Sequence, residues 1–167
     1  MSVLTEEDVV AVPLEQAFRA AMGSVAAAVS VVTTMESGVP YGSTVSAFGS
    51  LSMAPPMMFV SLDNRSSLLA RLRPSRVLAV NVLAAHHDRL ARQFAQRGID
   101  KFAGVSWIPI CGAPALEDRH ALVSLRVDRL VRAGDHTIVL AHVLAAEASA
   151  GAPLVYWRQT YGTHRAL

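Results

Sequence analysis

The sequence predicts a mainly β protein, an antiparallel barrel carrying a few short peripheral helices. Three observations point there. Seven segments have the composition of strands, many are joined by turns of hairpin length, and only three short stretches keep helical spacing. A doubly wound parallel sheet needs a helix between most strand pairs, and this chain does not supply them.

The elements follow in order. Leu14, Phe18 and Met22 recur at helical spacing, and Gly23 suits the end of that helix. Ser24 to Thr34 is rich in valine and alanine and closes on Val31-Val32-Thr33-Thr34, a buried strand by composition. Glu36-Ser37-Gly38-Val39-Pro40 is turn chemistry, so Tyr41 to Ser46 returns as a hairpin partner. Met57 to Leu62 is a strand. Ser66 or Ser67 can cap a helix from about Leu68 to Arg73, which Pro74 stops. Arg76 to Leu83 is the next strand, and Asp88 to Gln96 a helix closed near Gly98. Asp100 to Pro114 reads mostly as loop. Leu122 to Leu130 alternates strictly, Gly134-Asp135 turns the chain, and Thr137 to Ala148 and Leu154 to Trp157 complete the set.

A chain of 167 residues makes one domain, expected over residues 14–167 behind a loose arm at 1–13. Its length supports a core without covalent staples. The apolar fraction of 52% and mean hydropathy of +0.35 are high for a monomer, which points to a homo-oligomer. No window approaches the ~18 apolar residues a membrane span needs. Fifteen basic residues against thirteen acidic ones leave a charge of +2, scattered singly rather than striped, so nucleic acid is not an expected partner. The single cysteine, Cys111, excludes an intrachain disulfide and a multi-cysteine zinc site. Met1 to Val12 lacks the basic start and apolar core of a signal peptide. A cytoplasmic location is the expectation.

Four polar constellations stand out. The run Gly42 to Ser52 interleaves hydroxyls and small residues, which let a flat ligand approach the backbone; an ordinary half-buried strand reads the same way. Ser61-Leu62-Asp63-Asn64-Arg65-Ser66-Ser67 leads from a strand into a helix, which suits a phosphate or a plain capping turn. Asn81 is the lone polar residue of Ala79-Val80-Asn81-Val82-Leu83, where an unpaired amide costs about 1–3 kcal/mol. Either a backbone neighbour or a ligand must satisfy it. His136 follows Gly134-Asp135 at a hairpin entrance, as a ligand contact or a solvent-facing turn residue. His86-His87-Asp88 looks like a metal cluster, but adjacent histidines on a helix or strand diverge, so no metal is expected. Glycine-rich phosphate loops and nucleophile elbows are lacking, which leaves phosphoryl transfer and hydrolysis unsupported.

Taken in order, these pieces resemble the short flavin reductases, the flavin reductase-like proteins of the FMN-binding split-barrel fold. The likeness runs from Phe18 to Gly162 through Phe18-Arg19-Ala20-Ala21-Met22-Gly23, Gly42 to Ser52 with Pro55-Pro56, Ser66, Asn81-Val82-Leu83, Asp100-Lys101-Phe102, Gly112-Ala113-Pro114, Gly134-Asp135-His136 and Tyr156 to Gly162. The resemblance implies a Greek-key split barrel that reduces FMN or FAD with NADH or NADPH. It implies a homodimer that hands reduced flavin to a separate flavin-dependent monooxygenase. Thr44, Val45, Ser46 and Ala47 would line the isoalloxazine edge. Ser61, Leu62, Ser66 and Ser67 would meet the ribityl chain and phosphate, with Asn81, Val82 and Leu83 along the same groove. Phe102 would close over the flavin, Tyr161 would approach from the C-terminal end, and His136 would face the nicotinamide nucleotide. Two departures matter: Leu68 stands where a second hydroxyl is usual, and His142-Val143 replaces a more common Gly-Glu-Val-like step. Hydride transfer to a flavin asks for stacking rather than a side-chain acid or base, in keeping with a chain that shows no catalytic triad. Two alternatives stay open: a flavoenzyme that keeps its flavin and acts on an organic substrate, and a non-catalytic flavin-binding module.

Overall fold

The computed structural model describes residues 12–165, so the arm expected at 1–13 falls almost wholly outside the described residues. Twelve strands and three helices are present among them. Helix α1 (Leu14–Gly23) leads into β1 (Ala27–Ala28), β2 (Ser30–Glu36), β3 (Val39–Val45), β4 (Phe48–Met53) and β5 (Pro56–Asp63). After α2 (Ser67–Ser75), β6 (Val77–Val82) and α3 (Asp88–Ala95) come β7 (Trp107–Ile110), β8 (Ala113–Leu116), β9 (Ala121–Ala133), β10 (His136–Ala148), β11 (Leu154–Trp157) and β12 (Thr160–Thr163).

Seven strands form one sheet in the order β3-β2-β6-β9-β10-β5-β4, every pair antiparallel. The two edge strands, β3 and β4, are consecutive in sequence and joined only by Ser46 and Ala47. At that corner Ser30 Oγ donates to Val45 O at 2.9 Å and Ser61 N–H to Ala47 O at 2.8 Å, which ties the two ends of the linker to β2 and β5 while the linker itself brings the edges together into a barrel. The run from Thr44 to Ser52 is therefore bent, not one strand. Inside lie Val32, Val60, Leu78, Val80, Leu125 and Val139, and Leu68, Leu69 and Leu72 of α2 pack into the same cluster.

The stretch from Asp100 to Pro114 is mostly loop, as expected, but its end also holds a hairpin that was not expected: β7 and β8 pair there and cover β6 and β2. Its prolines, Pro109 and Pro114, sit opposite each other. A two-stranded pair always has an outer side that needs no N–H, so proline is tolerated. Cys111 and Gly112 supply the two positive-φ turn residues. One expectation needs correction: β11 belongs to a separate sheet, β1-β11-β12, and the barrel's seventh strand is β4.

Candidate active site

Where the barrel closes, a cleft of about 850 Å³ opens. Its floor is β3, which pairs with β2 alone. Main-chain groups on its other side are not used by the sheet, and apart from Gly42 O, which accepts from Lys101 Nζ, they stay available to a ligand. Alternation along β3 sends Tyr41 and Val45 to one face, Gly42 and Thr44 to the other. Helix α2 packs on the first face, sharing a cluster with Tyr41 and Val45. Helix α3 packs on the second, where Thr44 Oγ1 donates to Ala91 O at 2.6 Å and a Cβ on Gly42 would lie 2.6 Å from the Phe94 ring. The cleft thus follows an open strand edge between two helical walls.

The α2 wall brings Arg65, Ser66, Ser67 and Arg71 to the cleft. Ser66 is the N-cap residue and makes no side-chain capping hydrogen bond, so its hydroxyl and the first-turn amides remain unspent. Arg65 is folded back on Asp63, with Nε to Oδ1 at 3.2 Å and Nη2 to Oδ2 at 2.9 Å. Those hydrogen bonds hold the Asp63 carboxyl well below the usual carboxylate range and push the Arg65 guanidinium up. Both groups face solvent, so the pair fixes geometry and adds little stability. Arg71 donates to Glu36 at 2.7 Å and lies over the Tyr41 ring, 5.0 Å from its centroid.

The opposite wall is the segment that follows α3. Lys101 Nζ donates to Phe94 O at 2.7 Å and to Gly42 O at 3.2 Å, clamping the segment onto β3. Burial, then the nearby charge of Arg97, hold its ammonium below the ordinary lysine value. Gln93 Nε2 donates to Lys101 O and Ala103 O. Phe102 meets Phe94 edge-on at 5.0 Å.

His136 closes one end. Asn64 sets its position: Asn64 N–H donates to Asp135 O at 2.9 Å, Asn64 Nδ2 to Gly134 O at 3.2 Å, and Thr137 Oγ1 to Asn64 Oδ1 at 2.7 Å. His136 Nδ1 lies 2.7 Å from Asp135 Oδ1, and this hydrogen bond holds the Asp135 carboxyl below its usual range.

Most of the residues expected at the site meet here. Thr44, Val45, Ser46, Ala47, Ser61 and Leu62 line the cleft, and so do Ser66, Ser67, Phe102 and His136. Asn81, Val82, Leu83 and Tyr161 do not. Asn81 is wholly buried; its amide donates to Val31 O at 3.1 Å and Thr33 Oγ1 at 3.2 Å, and its carbonyl accepts from Leu116 N–H at 2.8 Å. Backbone and a hydroxyl satisfy it, which decides the alternative left open by the sequence. Leu83 is buried in the cluster around Phe94, and Tyr161 packs on that cluster under Arg92. Sequence reasoning missed Asn64 as the anchor of the His136 turn, and it missed Arg71 and Arg97 in the cleft. Only the turn at Gly98, which returns the chain towards β3, hinted at Arg97.

The histidine pair also behaves differently from expectation. His86 and His87 sit in a turn before α3, neither helix nor strand, and both Nε2 atoms lie 3.1 Å from Asp118 Oδ2. The three ligand atoms lie within 4.8 Å of one another. However, His87 Nδ1 accepts the Ala84 N–H at 3.1 Å, so neutral His87 carries its proton on Nε2 and donates it to Asp118. The cluster is a hydrogen-bonded latch.

A family model described as the flavin reductase-like domain matches residues 22–165. The reductase component of a 4-nitrophenol 4-monooxygenase/4-nitrocatechol 2-monooxygenase from Rhodococcus opacus is 38% identical over 151 residues, 90% of this chain and 82% of its own. A flavin reductase (NADH) from Kitasatospora aureofaciens is 38% identical over 150 residues, 86% of this chain and 78% of its own. Among solved structures, a nitrilotriacetate monooxygenase component B homologue from Mycobacterium thermoresistibile superposes with a TM-score of 0.87 at 26% identity, covering 90% of this chain and 87% of that one.

Proposed function

Since the chain belongs to the flavin reductase-like domain family, we propose that it is an NADH:flavin oxidoreductase passing reduced flavin to a separate monooxygenase component. One observation carries the reading: an unpaired strand edge and a bare helix start share a single cleft. A planar ring with a polar rim suits the former, and a phosphate suits the latter. Four cations, Arg65, Arg71, Arg97 and Lys101, stand against two carboxylates, Asp63 and Asp100, so the walls favour an anion.

When bound, the flavin supplies the hydride-accepting ring. The protein's share is position. The β3 edge with Thr44, Val45, Ser46 and Ala47 holds the polar rim, and its N–H groups stabilise negative charge developing there. Ser61 and Leu62 border the sugar chain, Ser66 and Ser67 hold the phosphate, and Phe102 shields the ring from water. His136, anchored through Asn64, receives the nicotinamide nucleotide. Orientation of two rings, rather than proton transfer, is what these groups provide.

The reading extends to a homodimer of residues 14–167 acting in the cytoplasm, where NADH is at hand. Exposed Phe18, Met53 and Trp157 support an interface. No helix among the described residues is long and apolar enough to cross a membrane. The test crosses NADH and NADPH with FMN, FAD and riboflavin in a steady-state assay, with light scattering for the oligomer. Steady NADH oxidation above the flavin-only rate is expected. Oxidation that never exceeds that rate with any flavin refutes the reading.

A further inference from the structure

Among the cleft's cations, one stands apart. Arg65 is held by Asp63, Arg71 by Glu36 and Tyr41, and Lys101 donates hydrogen bonds to Phe94 O and Gly42 O. Arg97 is exposed, borders the cleft, and makes no hydrogen bond or ion pair among the described residues. It lies close enough to Lys101 to disfavour that ammonium's charge, and no carboxylate among the described residues forms an ion pair with either. Asp100, its acidic neighbour in sequence, accepts the Phe102 N–H at 3.0 Å instead. Two like charges held together without a counter-charge cost stability, and an anion placed there removes the cost.

Position narrows the anion. The seat at Ser66 and Ser67 belongs to the α2 wall, on the Tyr41 and Val45 face of β3. Arg97 belongs to the segment after α3, on the Gly42 and Thr44 face. The cleft borders β3 from Val39 to Val45, about 20 Å of strand at ~3.3 Å per residue. One phosphate monoester on the α2 wall leaves Arg97 unanswered across the cleft, whereas a dinucleotide has further anionic groups to reach it.

We propose that Arg97 is a specificity residue that binds the diphosphate of a dinucleotide held in this cleft. The inference rests on the flavin-reductase reading. Two ligands carry that diphosphate, FAD and the pyridine nucleotide, and binding measurements separate them.

The experiment titrates wild type, Arg97→Ala and Arg97→Lys with FMN, FAD and NAD+ separately, by calorimetry or flavin fluorescence, alongside a thermal melt. Losing one exposed charge-assisted contact weakens binding by about tenfold. A tenfold weaker FAD Kd in Arg97→Ala with FMN unchanged, partly recovered in Arg97→Lys, supports the proposal with FAD as the source. The same loss for NAD+ alone supports it with the pyridine nucleotide as the source. Equal losses for FMN and FAD place Arg97 on their shared phosphate and overturn it, as do Kd values within twofold for all three. Wild type that binds none of the three overturns the flavin reading and the subsite together. Arg97 is exposed, so its variants are expected to melt as wild type does.

Discussion

Replacing Gly42 by alanine tests whether the cleft floor is as tightly built as its geometry states. The new Cβ would lie 2.6 Å from Phe94 Cε1, 2.9 Å from Phe94 Cδ1 and 3.4 Å from Phe102 Cζ. Phe94 is fully buried and braced edge-on by Phe102, so its ring cannot swing clear as a flexible chain end would. Gly42 is not among the positive-φ residues, and alanine brings no backbone strain. Overpacking of this kind costs about 1–3 kcal/mol. Alanine returns about 0.4–1 kcal/mol by stiffening the unfolded chain. The net loss is about 1 kcal/mol, which for a domain this size lowers Tm by about 3 °C. Phe102 lines the cleft, so flavin affinity should fall with it. Calorimetric melting and fluorescence titration read both effects. Shrinking the obstructing ring in Gly42→Ala/Phe94→Leu should recover part of the Gly42→Ala loss relative to Phe94→Leu alone, a coupling that a double-mutant cycle measures. Gly42→Ala melting at or above wild type with unchanged flavin Kd would refute the argument.

Three further outcomes follow from individual contacts. Asn81→Leu strands the Leu116 N–H in the core, so it should cost about 2 kcal/mol and lower Tm by roughly 6 °C while leaving flavin Kd within twofold; a selective loss of flavin binding without destabilisation would return Asn81 to the site. Asn64→Ala should raise the KM for NADH more than the flavin Kd, because it frees the turn that carries His136; a larger flavin effect would count against that anchoring. Asp118, whose carboxyl is held low by hydrogen bonds from His86 and His87, adds stability that is present above the ordinary carboxylate value near 3.9 and fades as pH falls through its lower folded value. Melting from pH 7 to pH 2 should therefore show the gap between wild type and Asp118→Asn closing in acid, and a constant gap would contradict the latch.

Much of this architecture was legible from pattern. The valine-rich run into β2 and the Gly134-Asp135 turn answer to local chemistry and survive folding, whereas the strict alternation expected of β9 is interrupted where its pairing with β10 shifts register. The β7–β8 hairpin was not legible, because its two prolines and its glycine argue against a strand until one knows that the hairpin's outer edges need no partner. At the site, residues contiguous with β3, β5 and the start of α2 were readable, since one strand corner gathers them. Asn81 was ambiguous for a physical reason: a buried amide demands partners, but nothing local names them, and they came from β2 and β8. The His86-His87 argument failed because it assumed a regular element, whereas a turn aims both rings at one carboxylate.

A last consequence concerns pH and rate. The groups bordering the cleft can position two rings and offer N–H donors, and His136 is the one imidazole among them. If its role is to receive the nicotinamide nucleotide, His136→Ala should raise the KM for NADH while kcat falls by less than tenfold. Under saturating flavin and NADH, kcat should be nearly flat from pH 6 to 8, because hydride transfer itself moves no proton through a side chain. A pH-dependent limb in kcat that disappears in His136→Ala would mean that this ring acts as an acid or base in the rate-limiting step. That result would assign chemistry to the protein, where the geometry of β3, α2 and the Asn64-anchored turn provides alignment.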